Sequence, residues 1–464
     1  MAIVRDFQVN NGLEVNLNAN VVNAVSASDF IQSNPERAYS PTVVFDFSKS
    51  ERLDPRITFI RASSATYTAA NGLIASVGNN VPRFQFENGQ NQGLFVESQR
   101  TNISKYSNDF FSSISNQFVP GSYTFFDSSL GLRQSSLGMV ANQDYAVSVY
   151  IKINAQSNQT IGVNIGDFDA NTFNANTAPV GQWVRYTGIR RLGPSGDILD
   201  IRINNPKLGT TNQIWPDPST IGVVTRNFGI APNGQRESTR VNWTATDNTL
   251  FDMEVWGTQV ELGSYVTSFI PTGATSATRF TDAAYVDNLT NTLNLNPYQG
   301  AFLFVGTTNK RYNANTPSFD QGTCGLLLQD SNFGLQNNYF SVVFRDDVAS
   351  AVFTQHVTIS SNGVSFNSTG GGSNFFFTNT EIRSVTSYTY TSSTKQLNVA
   401  ASSNGVSNTT PNANFSTAFP FPSRYLVFGQ YYAPGNRTWN GTIKKVAYYN
   451  RVFSNNEVIT LTTI

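Results

Sequence analysis

The sequence predicts an all-β chain of several antiparallel β-sandwiches, and three observations carry the prediction. Helical periodicity is nearly missing, and short runs of β-branched and aromatic residues, broken by Asn-Gly, Ser-Gly or Pro, take its place. The runs alternate in polarity, as in Tyr145-Ala-Val147-Ser-Val149-Tyr-Ile151 and Ile198-Leu-Asp-Ile201-Arg-Ile203, which is the period of a half-buried strand. Phe at 35 and Tyr at 19 bring the aromatic share to 13%, enough with Val and Ile to cover large sheets and too much for a disordered polar chain. At 464 residues the chain exceeds one compact core and fits two or three domains.

Four regions follow in order. Residues 1–40 hold a strand-turn-strand, Phe7-Gln-Val9-Asn-Asn-Gly12-Leu13-Glu-Val15, then a Ser/Ala/Asn stretch ending in Asn34-Pro35. This segment has too little apolar surface to fold alone and reads as an attachment segment. Residues 41–103 start with Thr42-Val-Val-Phe45-Asp-Phe47 and carry turn signals at Asn71-Gly72, Val81-Pro82 and Asn88-Gly89; they read as strands leading into the first sandwich. Residues 104–288 form a strand-rich block, and residues 289–464 a final one that includes the apolar strand Ala301-Phe-Leu-Phe-Val305. The stretch Thr267 to Thr281, rich in Ser and Thr with Pro271 and Gly273, is the linker expected between them.

Composition narrows the partners. Lys plus Arg and Asp plus Glu each total 30, so the net charge is zero and no long-range field draws a nucleic acid. Only 13% of residues are charged, with Asn, Ser, Thr and Gln filling the polar positions; such a surface suits neutral glycans or protein neighbours. One cysteine, Cys324, and one histidine, His356, exclude an intrachain disulfide framework and leave almost no side chains for a transition metal. No apolar run is long enough for a membrane span, and Met1-Ala-Ile-Val-Arg-Asp-Phe lacks the basic-then-apolar plan of a secretion signal. Insertion into a membrane is not expected.

Four motifs stand together: Arg61-Ala-Ser-Ser-Ala-Thr66-Tyr, Val81-Pro-Arg-Phe84, Gly93-Leu-Phe-Val-Glu97 and Gln99-Arg-Thr-Asn102. In order and spacing they resemble a recurrent block of bacteriophage tail and virion structural proteins. Downstream, Tyr145 to Lys152, Gly181-Gln-Trp183-Val-Arg185 and Trp256 to Pro271 resemble strands of a jelly-roll sandwich of the carbohydrate-binding-module type. The stretch Asn440-Gly-Thr-Ile443-Lys-Lys-Val446-Ala-Tyr-Tyr449, followed by Ser454-Asn-Asn-Glu457, resembles the closing strand of laminin G-like and concanavalin A-like lectin sandwiches. Ser454 and Glu457 also have capping-box spacing. The resemblances imply a virion protein on the particle exterior, made in the host cytoplasm, that meets other virion proteins through residues 1–40 and host glycans through its sandwiches. They imply a homotrimer as the oligomer.

No residue pattern points to catalysis. Glu254 and Glu261 lie an odd number of residues apart on one strand, which places them on opposite faces more than ~20 Å apart, too far for a glycosidase pair. The last block lacks the Glu-x-Asp-x-x-Glu pattern of concanavalin A-like glucanases, and no Gly-x-Ser-x-Gly elbow surrounds a serine. Asp167-Phe-Asp169-Ala-Asn171 starts like a calcium loop but has Thr172 in place of the glycine and Ala178 in place of the glutamate. No cofactor is expected; if calcium binds, Asp320, Asp346 and Asp347 are the candidate ligands. Sugar rings stack on aromatic faces, which makes Trp215, in Ile214-Trp-Pro216-Asp-Pro218, the first glycan-binding candidate. Tyr431, Tyr432 and Trp439, around Ala433-Pro-Gly435, form the second. The reading is a non-enzymatic, fibre- or appendage-type virion protein that adheres to host glycans. Its rivals are a polysaccharide-depolymerising tailspike enzyme and a scaffold that contacts only virion proteins.

Overall fold

A computed structural model of the protein describes residues 8–9, 13–16, 23–24, 39–108, 124–126, 129–135, 137–154, 160–165, 168–174, 179–192, 198–204, 228–244, 250–308, 323–329, 339–347, 352–361, 364–369, 381–404, 406–414, 424–429 and 438–463. The strand ladders of these residues are antiparallel, and the fold is all-β, as the alternating pattern predicts. Among the described residues two helices accompany the strands, α1 (Leu289–Leu293) and α2 (Asn455–Thr462). Neither is long and apolar enough to cross a membrane.

The larger sandwich packs two sheets. One has seven strands in the order Val364–Thr369, Val352–Ser361, Tyr339–Asp347, Thr323–Gln329, Tyr425–Phe428, Ala283–Asp287 and Ile57–Ile60. The other runs Val406–Asn414, Gln396–Ser403, Glu381–Thr391, Gln299–Thr308, Gly441–Tyr449, Gln90–Val96 and Phe84–Glu87, with Val43–Asp46 also paired to Gly441–Tyr449. Their inner faces share one core: Phe45, Leu94, Phe302, Phe304 and Val446 from one sheet meet Phe59, Val286, Leu326, Phe344 and Phe428 from the other. Burying each such side chain contributes about 1.5–3 kcal/mol.

This core corrects the predicted boundaries. Residues 41–103 do not lead into the first sandwich. Their strands complete both sheets of the last one, Val446 opposite Phe45 and Thr442 opposite Phe95, because Phe45, Phe59, Leu94 and Val96 present apolar faces that only the distant C-terminal strands cover. Residues 283–287 also belong there, pairing with both Ile57–Ile60 and Tyr425–Phe428.

The jelly-roll-like block is therefore an insertion. Strand Arg100–Asn102 leaves the larger sandwich, strand Ala277–Arg279 returns, and the two pair with Asn102 opposite Ala277. Between them lie two five-stranded sheets. One orders Trp183–Arg191, Asp144–Ile153, Leu250–Leu262, Arg236–Thr244 and Phe228–Ile230; the other Thr124–Phe126, Ser129–Ser135, Ile198–Asn204, Thr160–Ile165 and Phe168–Asn174. Strand Asp144–Ile153 buries Val147, Val149 and Ile151 on one face and turns Tyr150 and Lys152 to the other.

The ends of the chain follow the sequence more closely. Strands Gln8–Val9, Leu13–Asn16 and Asn23–Ala24 make a three-stranded sheet, with Val9 opposite Leu13 across the predicted turn. At the other end, the Ser454 hydroxyl accepts from the Glu457 amide at 3.4 Å and the Glu457 carboxylate accepts from the Ser454 amide at 2.8 Å. This capping box starts α2, which lays Val458 and Leu461 over Leu303, Val385 and Ala447 on the outer face of the larger sandwich.

Candidate functional site

Three of the four resemblance motifs converge on one buried cluster. Arg61 follows the edge strand Ile57–Ile60, Arg83 precedes Phe84–Glu87, and Glu97 follows Gln90–Val96; Arg279 and Asp282 enter from the returning chain. All five are at most 1% exposed. Arg61 Nη1 lies 2.9 Å from Asp282 Oδ1, and Arg83 Nη1 2.8 Å from Glu97 Oε2. Arg83 also pairs with Asp282, and Arg279 with Glu97. Ser268 joins them, donating its amide to Glu97 Oε1 at 2.7 Å and its hydroxyl to Oε2 at 2.6 Å. Burial alone would raise the Glu97 pKa, but Arg279, Arg83 and the Ser268 bonds outweigh it and hold the carboxyl at about 2 against an ordinary 4.5. Glu97 is therefore a permanent anion, and breaking such a buried pair costs about 3–5 kcal/mol.

The expected linker is thus not a linker. Thr267 donates its amide to Glu261 at 3.0 Å, Thr66 Oγ1 donates to the Phe269 carbonyl at 2.5 Å, and Ile270 donates to Gln259 at 2.6 Å. A stretch of small hydroxyl residues looks like loose chain in sequence, yet here those hydroxyls satisfy buried carboxylates and amides.

A β-bulge sets the neighbouring wall. Ser148 opposes Gln259 while Tyr150 opposes Trp256, so Gly257 and Thr258 together face Val149. Gly257 has φ +67°, and a Cβ there would sit 2.8 Å from the Tyr150 ring; only glycine fits. The bulge reverses the strand parity and brings Glu254 and Glu261 to one face, opposite Lys152 and Ala146, which corrects their predicted opposition. Six residues of the neighbouring strand still separate them, about 20 Å at the strand rise. Glu254 is engaged by Lys152 at 2.6 Å.

Between cluster and bulge lies a cleft of about 120 Å³. Thr66, Tyr67, Thr68 and Ile74 of the hairpin Ala65–Thr68 and Ile74–Val77 form one side, with Gln85 and Phe95 beside them. Tyr150 and Arg185 from the inserted sandwich form the other, and Thr267, Ser268 and Phe269 close it. Tyr67, Thr68, Gln85, Tyr150 and Arg185 are half-buried; Thr66, Phe95, Thr267, Ser268 and Phe269 are buried. Tyr150 is held edge-on against Trp256 and Phe269, ring centroids 5.4 and 6.4 Å away. Burial pushes its phenol above the ordinary value, with Arg185 pulling it back, so it remains a neutral hydroxyl near neutral pH. Arg185 donates Nε and Nη2 to Ser148 Oγ at 3.2 and 2.9 Å and lies 5.3 Å from the centroid of the Tyr150 ring.

Of the residues singled out in the sequence, Trp439, Asp346 and Asp347 do not line this cleft. Trp439 is 0% exposed, packed at 4.7 Å from Phe304 with its indole N–H donated to the Thr307 and Thr442 carbonyls at 3.0 Å. It has no face to offer a sugar, which removes it as a platform. Trp215, Tyr431, Tyr432 and Asp320 lie outside the described residues. Asp346 and Asp347 lie on strand Tyr339–Asp347. Among the described residues no group of three or more His, Cys, Asp or Glu could hold a metal ion. The cleft residues gave no signal beyond the resemblance motifs, because they come together only when the inserted sandwich docks on the hairpin.

No protein-family model and no curated protein matches the chain. Solved structures do. CBM40 of Ruminococcus gnavus IT-sialidase, bound to alpha2,3 sialyllactose, is 14% identical over 36% of this chain and 83% of its own, with a TM-score of 0.26. The NanB sialidase from Streptococcus pneumoniae is 19% identical over 39% of this chain and 26% of its own, TM-score 0.27. Domain 4 of AbnA, a GH43 extracellular arabinanase from Geobacillus stearothermophilus in complex with arabinotriose, is 13% identical over 43% of this chain and 81% of its own, TM-score 0.27.

Proposed function

We propose that this chain is a non-enzymatic structural component of a bacteriophage particle, carried on its exterior, and that the cleft between its sandwiches binds host-surface glycans. The observation that carries the glycan reading is the cleft lining: the half-buried rings of Tyr67 and Tyr150 stand beside the half-buried hydroxyl of Thr68 and the amide of Gln85. Aromatic faces take the C–H surface of a sugar while hydroxyls and amides take its O–H groups. The virion reading is supported by the resemblance of residues 61–102 to phage tail and virion proteins, and residues 1–40 are the segment proposed to attach to the particle and to form the trimer. The separation of Glu254 and Glu261 supports binding over hydrolysis.

One such site supplies an affinity of about 1 mM, roughly −4 kcal/mol. Several copies displayed together raise avidity by about 10²–10⁴ without a new contact, so adhesion goes with oligomeric display. The experiment is a host-glycan array probed with multimerised protein. Wild type is expected to bind, and Tyr67→Ala or Gln85→Ala to weaken binding at least tenfold; equal signals for all three would remove the cleft as the site. Chain absent from purified particles of its parent phage would overturn the virion half.

A further inference from the structure

We propose that the cleft selects sugars that carry a carboxylate, with Arg185 as the counter-ion; this rests on the glycan-binding reading above. Arg185 bears the one formal charge among the described residues lining the cleft. Its Nε and Nη2 are fixed by Ser148 Oγ and its plane lies near the Tyr150 ring, while Nη1 has no partner among the described residues. A guanidinium held by a neutral hydroxyl instead of a carboxylate keeps its full charge for a ligand, and its planar fork matches a carboxylate.

The charges behind the wall are engaged with one another. Arg61, Arg83 and Arg279 face Glu97 and Asp282. Ser268 belongs both to this cluster and to the cleft lining. On the other side of Tyr150, Glu254 is taken up by Lys152 and Glu237 accepts from the Trp256 indole at 2.8 Å. A cleft with a fixed cation at its rim and, among the described residues, no lining carboxylate favours an anion over a neutral ring.

The test uses acidic host-envelope polysaccharide and the same material after carboxyl reduction, which turns each carboxylate into a hydroxymethyl group and leaves the rings intact. Multimerised full-length wild type is expected to bind the native polymer at least tenfold better than the reduced one. Arg185→Gln should bring the ratio of native to reduced binding close to one, and Arg185→Lys should keep part of the preference. Equal binding to both polymers, still sensitive to Tyr67→Ala, would overturn the charge selectivity and leave glycan binding standing. No binding to either would overturn both.

Discussion

Glu97 organises the junction through two guanidiniums and the Ser268 amide and hydroxyl. Its pKa is depressed in the fold, so its contribution is fully present above the ordinary value of 4.5 and is lost as the pH falls through about 2. Denaturant titrations are expected to show stability flat from pH 7 to about 5, then a fall of roughly 3 kcal/mol toward pH 2. Glu97→Gln should be less stable than wild type at pH 7 and should flatten that fall; an unchanged pH slope would show that Glu97 is not the linked group. The sequence displayed Arg61, Arg83, Glu97 and Asn102 as a motif but not their reason. Arg61 and Arg83 meet Asp282 across 221 and 199 residues, and no local pattern encodes a partner that distant.

At the scale of the element, alternation made the strands legible: Asp144–Ile153 and Gln299–Thr308 stand where their periodicity places them, and the Ser454 cap starts α2 where its spacing requires. The bulge at Gly257 was not legible. Trp256-Gly-Thr-Gln reads like any strand, and counting parity through it puts Glu254 and Glu261 on the wrong faces. Gly257→Ala is expected to cost about 1–3 kcal/mol, since a left-handed residue gains a side chain that meets the Tyr150 ring 2.8 Å away. Sugar binding should fall with it, because Tyr150 is the ring displaced. Wild-type melting and wild-type binding in this variant would show that the bulge does not position Tyr150.

The whole molecule is one sandwich interrupted by another, an order that the sequence hid because it lists the interrupted strands as a separate region. Residues 41–103 looked like a preface, but both sheets of the C-terminal sandwich lack strands without them. A fragment of residues 289–464 is therefore expected to stay unfolded or aggregate, with little amide dispersion by NMR, whereas residues 39–464 should fold; a well-dispersed 289–464 fragment would refute the shared core. The glycan-binding reading depends on that same junction, since hairpin and inserted sandwich make the cleft only together. Amide hydrogen exchange of the full-length chain, with and without about 10 mM oligosaccharide released from the host envelope, a concentration set by the millimolar affinity, locates the ligand directly. Slowed exchange is predicted at residues 65–77, 148–150, 183–186 and 264–270. Slowing confined to residues 424–449, with those four segments unchanged, would contradict it.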